Sequence, residues 1–146
     1  MDIPLGELQA SHLNLLRQDA EYAWFPLGYD LYSFSDATSY RKILDGAARF
    51  NSLEILAFIG LWCGDTHDHF PALMRILDSV KFPRERLKIL NLDRAKSFPG
   101  GSEVIAKSGI TRLPTFVFVE EGRELGRITE QPVETLIADI ARILYP

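Results

Sequence analysis

Apolar and polar positions along this chain follow two periods, one typical of amphipathic helices and one typical of strands. Five segments have the helical spacing, and the second opens after Ser35 or Asp36, either of which is suited to an N-cap. Four shorter runs favour strands, and Glu121-Gly122 predicts a hairpin turn between the last two. Pro132 is expected in the first turn of the last helix, with Val133 facing inward. The predicted helices lie at 4–17, 36–50, 64–80, 102–108 and 132–144, and the predicted strands at 53–60, 87–93, 115–119 and 124–128.

The order of these elements predicts an α/β fold with a mixed central sheet. From residue 36 the order is helix, strand, helix, strand, helix, strand, strand, helix. Strands that alternate with helices pair in parallel through crossovers, whereas the final hairpin is antiparallel, so helices are expected on both faces. The earlier aromatic stretch at 22–34 is broken by Pro26 and Gly28. We expect it to be a loop or short strand packed onto the domain, because exposing so much aromatic surface is unfavourable.

The composition is that of one globular domain. The 146 residues are 47% hydrophobic and 25% charged, and the net charge of −4 argues against nucleic acid or an anionic membrane as a partner. No apolar run approaches the roughly 20 residues that span a bilayer, and the first residues do not resemble a secretory signal, so we expect a cytoplasmic protein. A single cysteine forms no internal disulfide, so any disulfide chemistry needs a second molecule.

That cysteine, Cys63, stands where a buried strand is predicted to turn into a helix. The free N–H groups and the positive end of the helix dipole favour a thiolate at such a place. Thr66, one turn along, could donate a hydrogen bond to the thiolate, and protonated His67 or His69 would help. The neighbouring carboxylate of Asp65 opposes this effect unless it points to solvent. The alternative is that Cys63 is a small buried hydrophobe and Thr66 an ordinary first-turn residue.

Cys63, His67 and His69 also suggest a metal site. Cys63 and His67 lie four residues apart and share a helix face, whereas His69 points elsewhere. Two protein ligands make a poor site, and closure would need Asp65, Asp68 or a second chain. We therefore expect no metal and no cofactor, and we place His67 and His69 on a solvated helix face.

Four features of the sequence resemble the thioredoxin family. They are Trp62-Cys63-Gly64 at the strand-to-helix turn, Pro71 in the following helix, Asn91-Leu92-Asp93 at the end of the next strand, and Ile110-Thr111-Arg112-Leu113-Pro114-Thr115. The resemblance covers residues 36–146 and implies a thioredoxin fold in which Pro114 is the family's cis-proline. Residues 1–35 have no counterpart in the family, and we treat them as an N-terminal helical and aromatic extension.

The departures from the family pattern concern the thiol chemistry. The second cysteine of the family is Thr66 here, and Asp65 replaces the usual proline between the two cysteines. The buried aspartate that many thioredoxins use as a proton acceptor falls near Ala57, and its companion lysine falls near Ile89. A hydroxyl cannot be oxidised to a disulfide, so this chain alone cannot run a dithiol cycle.

The resemblance implies a monothiol exchange protein as the first hypothesis. Its expected substrates are a protein disulfide or a glutathione-type mixed disulfide, with a low-molecular-weight thiol as the resolving agent. A non-catalytic thioredoxin-fold binding module is the alternative hypothesis, and Cys63 could also link two copies into a homodimer. The candidate catalytic residues are Cys63 and Thr66, and the candidate substrate-binding residues are Trp62, Gly64, Asp65, Leu113 and Pro114.

Overall fold

The chain folds around a five-stranded mixed sheet, which the computed structural model describes within residues 2–146. The strands are β1 (Gly6–Glu7), β2 (Leu53–Ile59), β3 (Leu87–Asn91), β4 (Thr115–Glu120) and β5 (Arg123–Thr129). Their order across the sheet is β1-β3-β2-β4-β5, with β2 and β3 parallel and the other pairs antiparallel. The predicted α/β class is confirmed, and the arrangement is the thioredoxin fold that the resemblance implies.

Helices lie on both faces of this sheet. In the described part of the chain they are α1 (Ala10–Gln18), α2 (Trp24–Leu31), α3 (Ala37–Asp45), α4 (Gly64–Ser79), α5 (Ser102–Ser108) and α6 (Leu136–Leu144). The larger core cluster joins one face of the sheet to α1–α4 and α6, and a smaller cluster on the other face packs against α5. Short 3-10 helices cover Ala20–Tyr22, Ala47–Ser52 and Arg84–Arg86.

Strand β2 is the centre of the sheet, and its side chains alternate between the two cores. Ile55, Ala57 and Ile59 belong to the larger cluster, whereas Phe58 belongs to the smaller one. Both faces are covered, so the strand is apolar over most of its length, as expected for a central strand paired on one side in parallel. Its carboxyl end therefore leads a well-anchored backbone directly into the turn that carries Cys63.

The N-terminal segment differs from the prediction. The aromatic stretch contains helix α2 and not a loop or strand, because Pro26 falls in the first helical turn, where its missing N–H is tolerated. Gly28 lies against Pro71, where an added Cβ would approach the proline side chain to 3.1 Å. The first predicted helix also starts late, at Ala10. Gly6 has a φ of +96°, which no α-helix accepts, and it pairs with β3 as part of strand β1.

The last helix begins four residues later than predicted, at Leu136 with Thr135 as the N-cap. The prediction that Val133 faces inward is wrong, because its side chain is 83% exposed. The buried carboxylate of Asp139 accepts hydrogen bonds from the backbone N–H groups of Val133 and Glu134, at 2.7 and 3.1 Å. These bonds fold the preceding segment back over the helix N-terminus and keep Pro132 outside the first turn.

Candidate functional site

The candidate site is the turn Gly60–Cys63, called the cysteine turn below, between the end of β2 and the start of α4. Cys63 is the N-cap of α4, with extended backbone angles and no side-chain capping hydrogen bond. Its N–H donates to the Gly60 carbonyl at 2.9 Å, which closes the turn. The cysteine therefore occupies the strand-to-helix junction that the sequence predicts.

Each residue of the cysteine turn is held by a hydrogen bond from outside it. The Gly60 N–H donates to Thr66 Oγ1 at 3.2 Å, and His67 Nε2 lies 2.6 Å from the Leu61 carbonyl oxygen. Trp62 Nε1 donates to the carbonyl of Leu92 at 2.9 Å. Cys63 Sγ lies 3.6 Å from the Leu113 carbonyl oxygen. The partners come from α4, from the segment after β3 and from the segment before β4, so three separate parts of the fold fix the turn.

The Cys63 thiol is half-buried and faces the Leu113-Pro114 peptide bond, which is cis. A carbonyl oxygen only accepts hydrogen bonds, so its contact with Sγ is available to the thiol and not to the thiolate. Ionisation replaces this attraction with repulsion and favours movement of the sulfur towards the N–H groups at the start of α4. Pro114 itself is buried and has no N–H to offer to the sulfur.

The hydroxyl of Thr66, which the sequence suggested as a hydrogen-bond donor to the Cys63 thiolate, is used elsewhere. Its side chain is fully buried, and Oγ1 accepts the hydrogen bond from Gly60. Within residues 2–146 no hydrogen bond joins Thr66 to Cys63. The hydroxyl satisfies a buried backbone N–H, so in this structure Thr66 supports the backbone of the cysteine turn.

The candidate residues on either side of Cys63, Trp62 and Gly64, differ in their surroundings. The Trp62 ring covers Gly60, where an added Cβ would lie 2.7 Å from the indole. The guanidinium of Arg94 lies 5.1 Å from the centre of that ring, a cation–π contact that the sequence did not reveal. Gly64 is exposed with open space above it.

Asp65 is engaged in a contact of its own. Its carboxylate accepts a hydrogen bond from Gln131 Nε2 at 3.2 Å, across the gap between α4 and the end of β5. Sequence reasoning missed Gln131, which lies 66 positions from Asp65 along the chain. The contact directs the Asp65 carboxylate to a neighbour outside the cysteine turn.

Ala57 and Ile89, where the resemblance places the family's aspartate and lysine, lie side by side on neighbouring strands. They are Cα partners in the parallel pairing of β2 with β3, and both are fully buried in the larger core cluster. The two positions are therefore neighbours in the fold, but both of their side chains are hydrocarbon. Neither of them accepts or donates a proton.

The prediction that His67 lies on a solvated face is wrong. Its ring stacks on Trp24 of α2, with the ring centres 4.1 Å apart and the planes 18° from parallel. His69 is partly buried and lines a cavity of about 340 Å³ between α4, α6 and the segment after α2. Across residues 2–146, the histidine, cysteine and acidic side chains form no cluster of three that could hold a metal ion.

The same described residues include no helix long and apolar enough to cross a membrane. No protein-family model matches the chain, and no curated protein matches it.

Among solved structures, the chain is similar to thioredoxins. It is 22% identical to a Fasciola hepatica thioredoxin, with a TM-score of 0.40, over 64% of this chain and 80% of that chain. It is 17% identical to oxidised thioredoxin O2 from Arabidopsis thaliana, with a TM-score of 0.44, over 73% of this chain and 81% of that one. A Pseudomonas aeruginosa protein of unknown function is 13% identical, with a TM-score of 0.47, over 82% and 90%.

These likenesses concern the fold, and a fold by itself assigns no activity. The order and direction of the strands, with Cys63 at the carboxyl end of the central strand, make this chain a thioredoxin-fold protein.

Proposed function

We propose that this protein is a monothiol thiol–disulfide exchange protein whose nucleophile is Cys63. The observation that carries the proposal is the placement of a partly buried cysteine at a helix N-cap on a turn held at every residue. A structural cysteine needs no such frame, because its packing would come from surrounding hydrocarbon. A nucleophile benefits from a fixed turn, because no conformational entropy has to be lost to position the sulfur when a disulfide approaches.

The proposed reaction has two exchange steps. The Cys63 thiolate attacks one sulfur of a disulfide RS–SR′, so that an Sγ–S bond forms, the original S–S bond breaks and R′S⁻ leaves to take a proton from solvent. A low-molecular-weight thiol R″SH then loses its proton to solvent and attacks the mixed disulfide. This step yields RS–SR″ and returns the Cys63 thiolate. The electron pair that reduces R′S therefore comes from the external thiol.

The external thiol is required because the site offers no second sulfur. Thr66 occupies the position of a resolving cysteine and is already bonded to the Gly60 N–H. The apolar pair Ala57 and Ile89 supplies no proton acceptor behind the sulfur. Proton transfer to and from the reacting sulfurs is therefore assigned to solvent, which reaches Cys63 because the residue is only partly buried.

The proposed substrate approach crosses the residues around the sulfur. An extended segment of a protein disulfide, or glutathione in a mixed disulfide, would run beside the Leu113 backbone next to Pro114. The exposed backbone at Gly64 leaves room for it, since nothing lies within 4 Å of an added Cβ there. Trp62 forms the apolar rim, and Asp65 limits the approach of anionic groups from the side of Gln131.

The experiment is to incubate the full-length protein with oxidised glutathione and to follow its intact mass. We expect one glutathione adduct per chain, released on addition of reduced glutathione. Cys63→Ser is the matched control, because it keeps the size and N-cap position while removing the sulfur. It should form no adduct and should keep its melting temperature within a few degrees. An adduct-free wild-type protein with an accessible thiol would contradict exchange activity.

A second candidate function is a thioredoxin-fold binding module without redox turnover. The apolar Ala57–Ile89 pair favours it, as does the contact of Sγ with the Leu113 carbonyl, which suits an un-ionised thiol. The two functions separate in the same experiment, because only the exchange protein is both loaded by oxidised glutathione and discharged by reduced glutathione. A disulfide-linked homodimer through Cys63 would appear as a doubled mass under non-reducing conditions.

A further inference from the structure

We propose that His67 is a positioning residue for the cysteine turn, and that helix α2 belongs to the reactive site through it. The inference rests on the proposed role of Cys63 as the nucleophile. It adds two residues, Trp24 and His67, that the sequence resemblance assigns to neither catalysis nor binding. Both residues act through the backbone of the turn and touch no substrate in this account.

The side chain of His67 forms a hydrogen bond with the backbone carbonyl of Leu61. Nε2 lies 2.6 Å from the Leu61 carbonyl oxygen, which only accepts hydrogen bonds. Nε2 therefore carries a proton and donates it. Leu61 lies two residues beyond the end of β2, where its carbonyl has no strand partner, so His67 satisfies a backbone group that the sheet leaves open.

His67 holds the cysteine turn at two points. Its backbone N–H donates to the Cys63 carbonyl at 3.1 Å, as the helical pattern requires, while its ring reaches back to Leu61. One residue thus connects the carbonyl two positions before the cysteine to the carbonyl of the cysteine itself. The spacing between these carbonyls limits how far the turn can open, and hence where Sγ can lie.

The ring of His67 is in turn held by Trp24. The two rings stack at 4.1 Å, which restricts rotation of the imidazole about its Cβ–Cγ bond. Trp24 is the first residue of α2. The helix is fixed against α4 by the close approach of Gly28 to Pro71, by the Phe25–Phe70 ring pair at 5.6 Å and by further contacts along its length.

A hydrogen bond from Tyr29 adds to this attachment, since its hydroxyl donates to Asp78 at 2.5 Å near the far end of α4. The N-terminal segment is therefore linked to the site through a chain of contacts. Helix α2 fixes the position of Trp24, the Trp24 ring orients the His67 ring, and His67 holds the Leu61 carbonyl. The effect of His67 on Cys63 is indirect. Substitutions of His67 should therefore change the alkylation rate of Cys63 more clearly than they change the melting temperature.

The test compares two substitutions that differ in where they place a donor. His67→Gln keeps an N–H group at the position of Nε2, whereas the shorter His67→Asn places its amide near the position of Nδ1 and cannot reach Leu61. The readout is the second-order rate of Cys63 alkylation by iodoacetamide in the folded full-length protein, alongside the melting temperature. We expect His67→Asn to change this rate about fivefold to tenfold, the equivalent of one hydrogen bond, and His67→Gln to stay within about twofold of wild type.

Trp24 is tested by a double-mutant cycle. Trp24→Leu removes the stacking partner, and Trp24→Phe is the control that keeps an aromatic face. If Trp24 acts through His67, the combined Trp24→Leu and His67→Asn protein should alkylate at the rate of His67→Asn alone. Additive rate changes would overturn the link, and equal rates for His67→Gln and His67→Asn would overturn the positioning role.

A spectroscopic readout separates this proposal from the exchange function. Nitrogen NMR of the histidine rings at about pH 8, where an ordinary imidazole is neutral, should show Nε2 of His67 protonated and Nδ1 bare. The opposite tautomer would overturn the proposal. Neither this signature nor the alkylation rates require turnover, so they stand even if oxidised glutathione fails to load Cys63.

Discussion

The cysteine turn, which follows β2, and the Ala57–Ile89 pair, which joins β2 to β3, are built in opposite ways. At the turn, side chains or backbone groups from three other segments hold Gly60, Leu61, Trp62 and Cys63 by hydrogen bonds. At Ala57, three residues before Gly60, two hydrocarbon side chains lie side by side and both are fully buried. Polar groups hold the turn that carries the sulfur, whereas the Ala57–Ile89 pair offers only apolar side chains.

This contrast separates the two requirements of thiol chemistry. The position of the sulfur is fixed by hydrogen bonds to the turn, each of which stabilises the fold by about 1 kcal/mol net. Removing one partner costs more than this when the other partner stays buried without a hydrogen bond. Proton transfer needs a titratable group, and burying one at Ala57 would be costly without a charged partner. In the proposed function, the chain's own residues meet the first requirement, and the second is left to solvent and to the external thiol.

The largest effect is expected from introducing the family's acid into the apolar pair. Ala57→Asp places a carboxylate at a fully buried position opposite Ile89, and should lower the free energy of unfolding by roughly 3–5 kcal/mol at neutral pH, the cost of a buried charge without a partner. Ala57→Asn is the matched control without charge. Urea unfolding of both proteins measures the difference.

The sign of the pH dependence follows from burial, which raises the pKa of an introduced aspartate above its unfolded value of about 4. Relative to Asn, the Asp variant should lose stability as the pH rises above about 4 and should recover it on acidification, when the carboxyl is protonated. A constant difference between Asp and Asn from pH 4 to 8 would show that the position is not a closed apolar site.

An intermediate effect is expected at the turn itself. Thr66→Val removes the acceptor of the Gly60 N–H and keeps the volume, so a buried donor loses its partner at a cost of about 2 kcal/mol. Thr66→Ser keeps the hydroxyl and should cost less. Thermal unfolding gives the stability, and the alkylation rate of Cys63 should change in the Val variant only. A Val variant as stable as wild type would show that another group satisfies Gly60.

The smallest effect is expected far from the turn, at the other end of β4. Hydrogen bonds from Arg49 and then from Ser52 hold the pKa of Glu120 below its ordinary value of 4.5. A lowered folded pKa stabilises the fold above the unfolded value, and this contribution disappears as the pH falls through the folded pKa. Wild type should therefore exceed Glu120→Gln in stability above about pH 5 and converge with it in acid.

The same variant is a control for the site. Glu120 faces Leu53 at the start of β2, whereas Cys63 follows the end of that strand. Glu120→Gln should therefore leave the alkylation rate of Cys63 unchanged at neutral pH. A change in that rate would mean that the turn responds to general loosening of the sheet, and the contrast between the two regions would lose its meaning.

The sequence was sufficient for the four strands β2–β5, the position of Cys63 and the correspondence of Ala57 with Ile89, because these follow from local periodicity and from a motif. It was insufficient for β1, which lies where a helix was predicted, for α2 and for His67. Pro26 and Gly28 are ordinary helix breakers, and only their places in the first turn and against Pro71 make them compatible with a helix.

The stacking partner of His67 lies 43 positions away along the chain, at Trp24, which no helical pattern within α4 reveals. The dense aromatic stretch at 22–34 was the available signal, because so many aromatic rings must pack against something. The polarity of a histidine in a helix, taken alone, favoured solvent. Tertiary contact reversed that expectation.

The reactivity of Cys63 is measured by the rate at which iodoacetamide labels it in the folded protein, compared with the same chain in denaturant at the same pH. The single cysteine makes the labelling unambiguous. If Cys63 is the nucleophile, the folded protein should be labelled at a rate comparable to or faster than the unfolded chain, because a partly buried thiol on a fixed turn is open to attack. Labelling that occurs only as fast as the protein unfolds would contradict this role and would make Cys63 a structural residue.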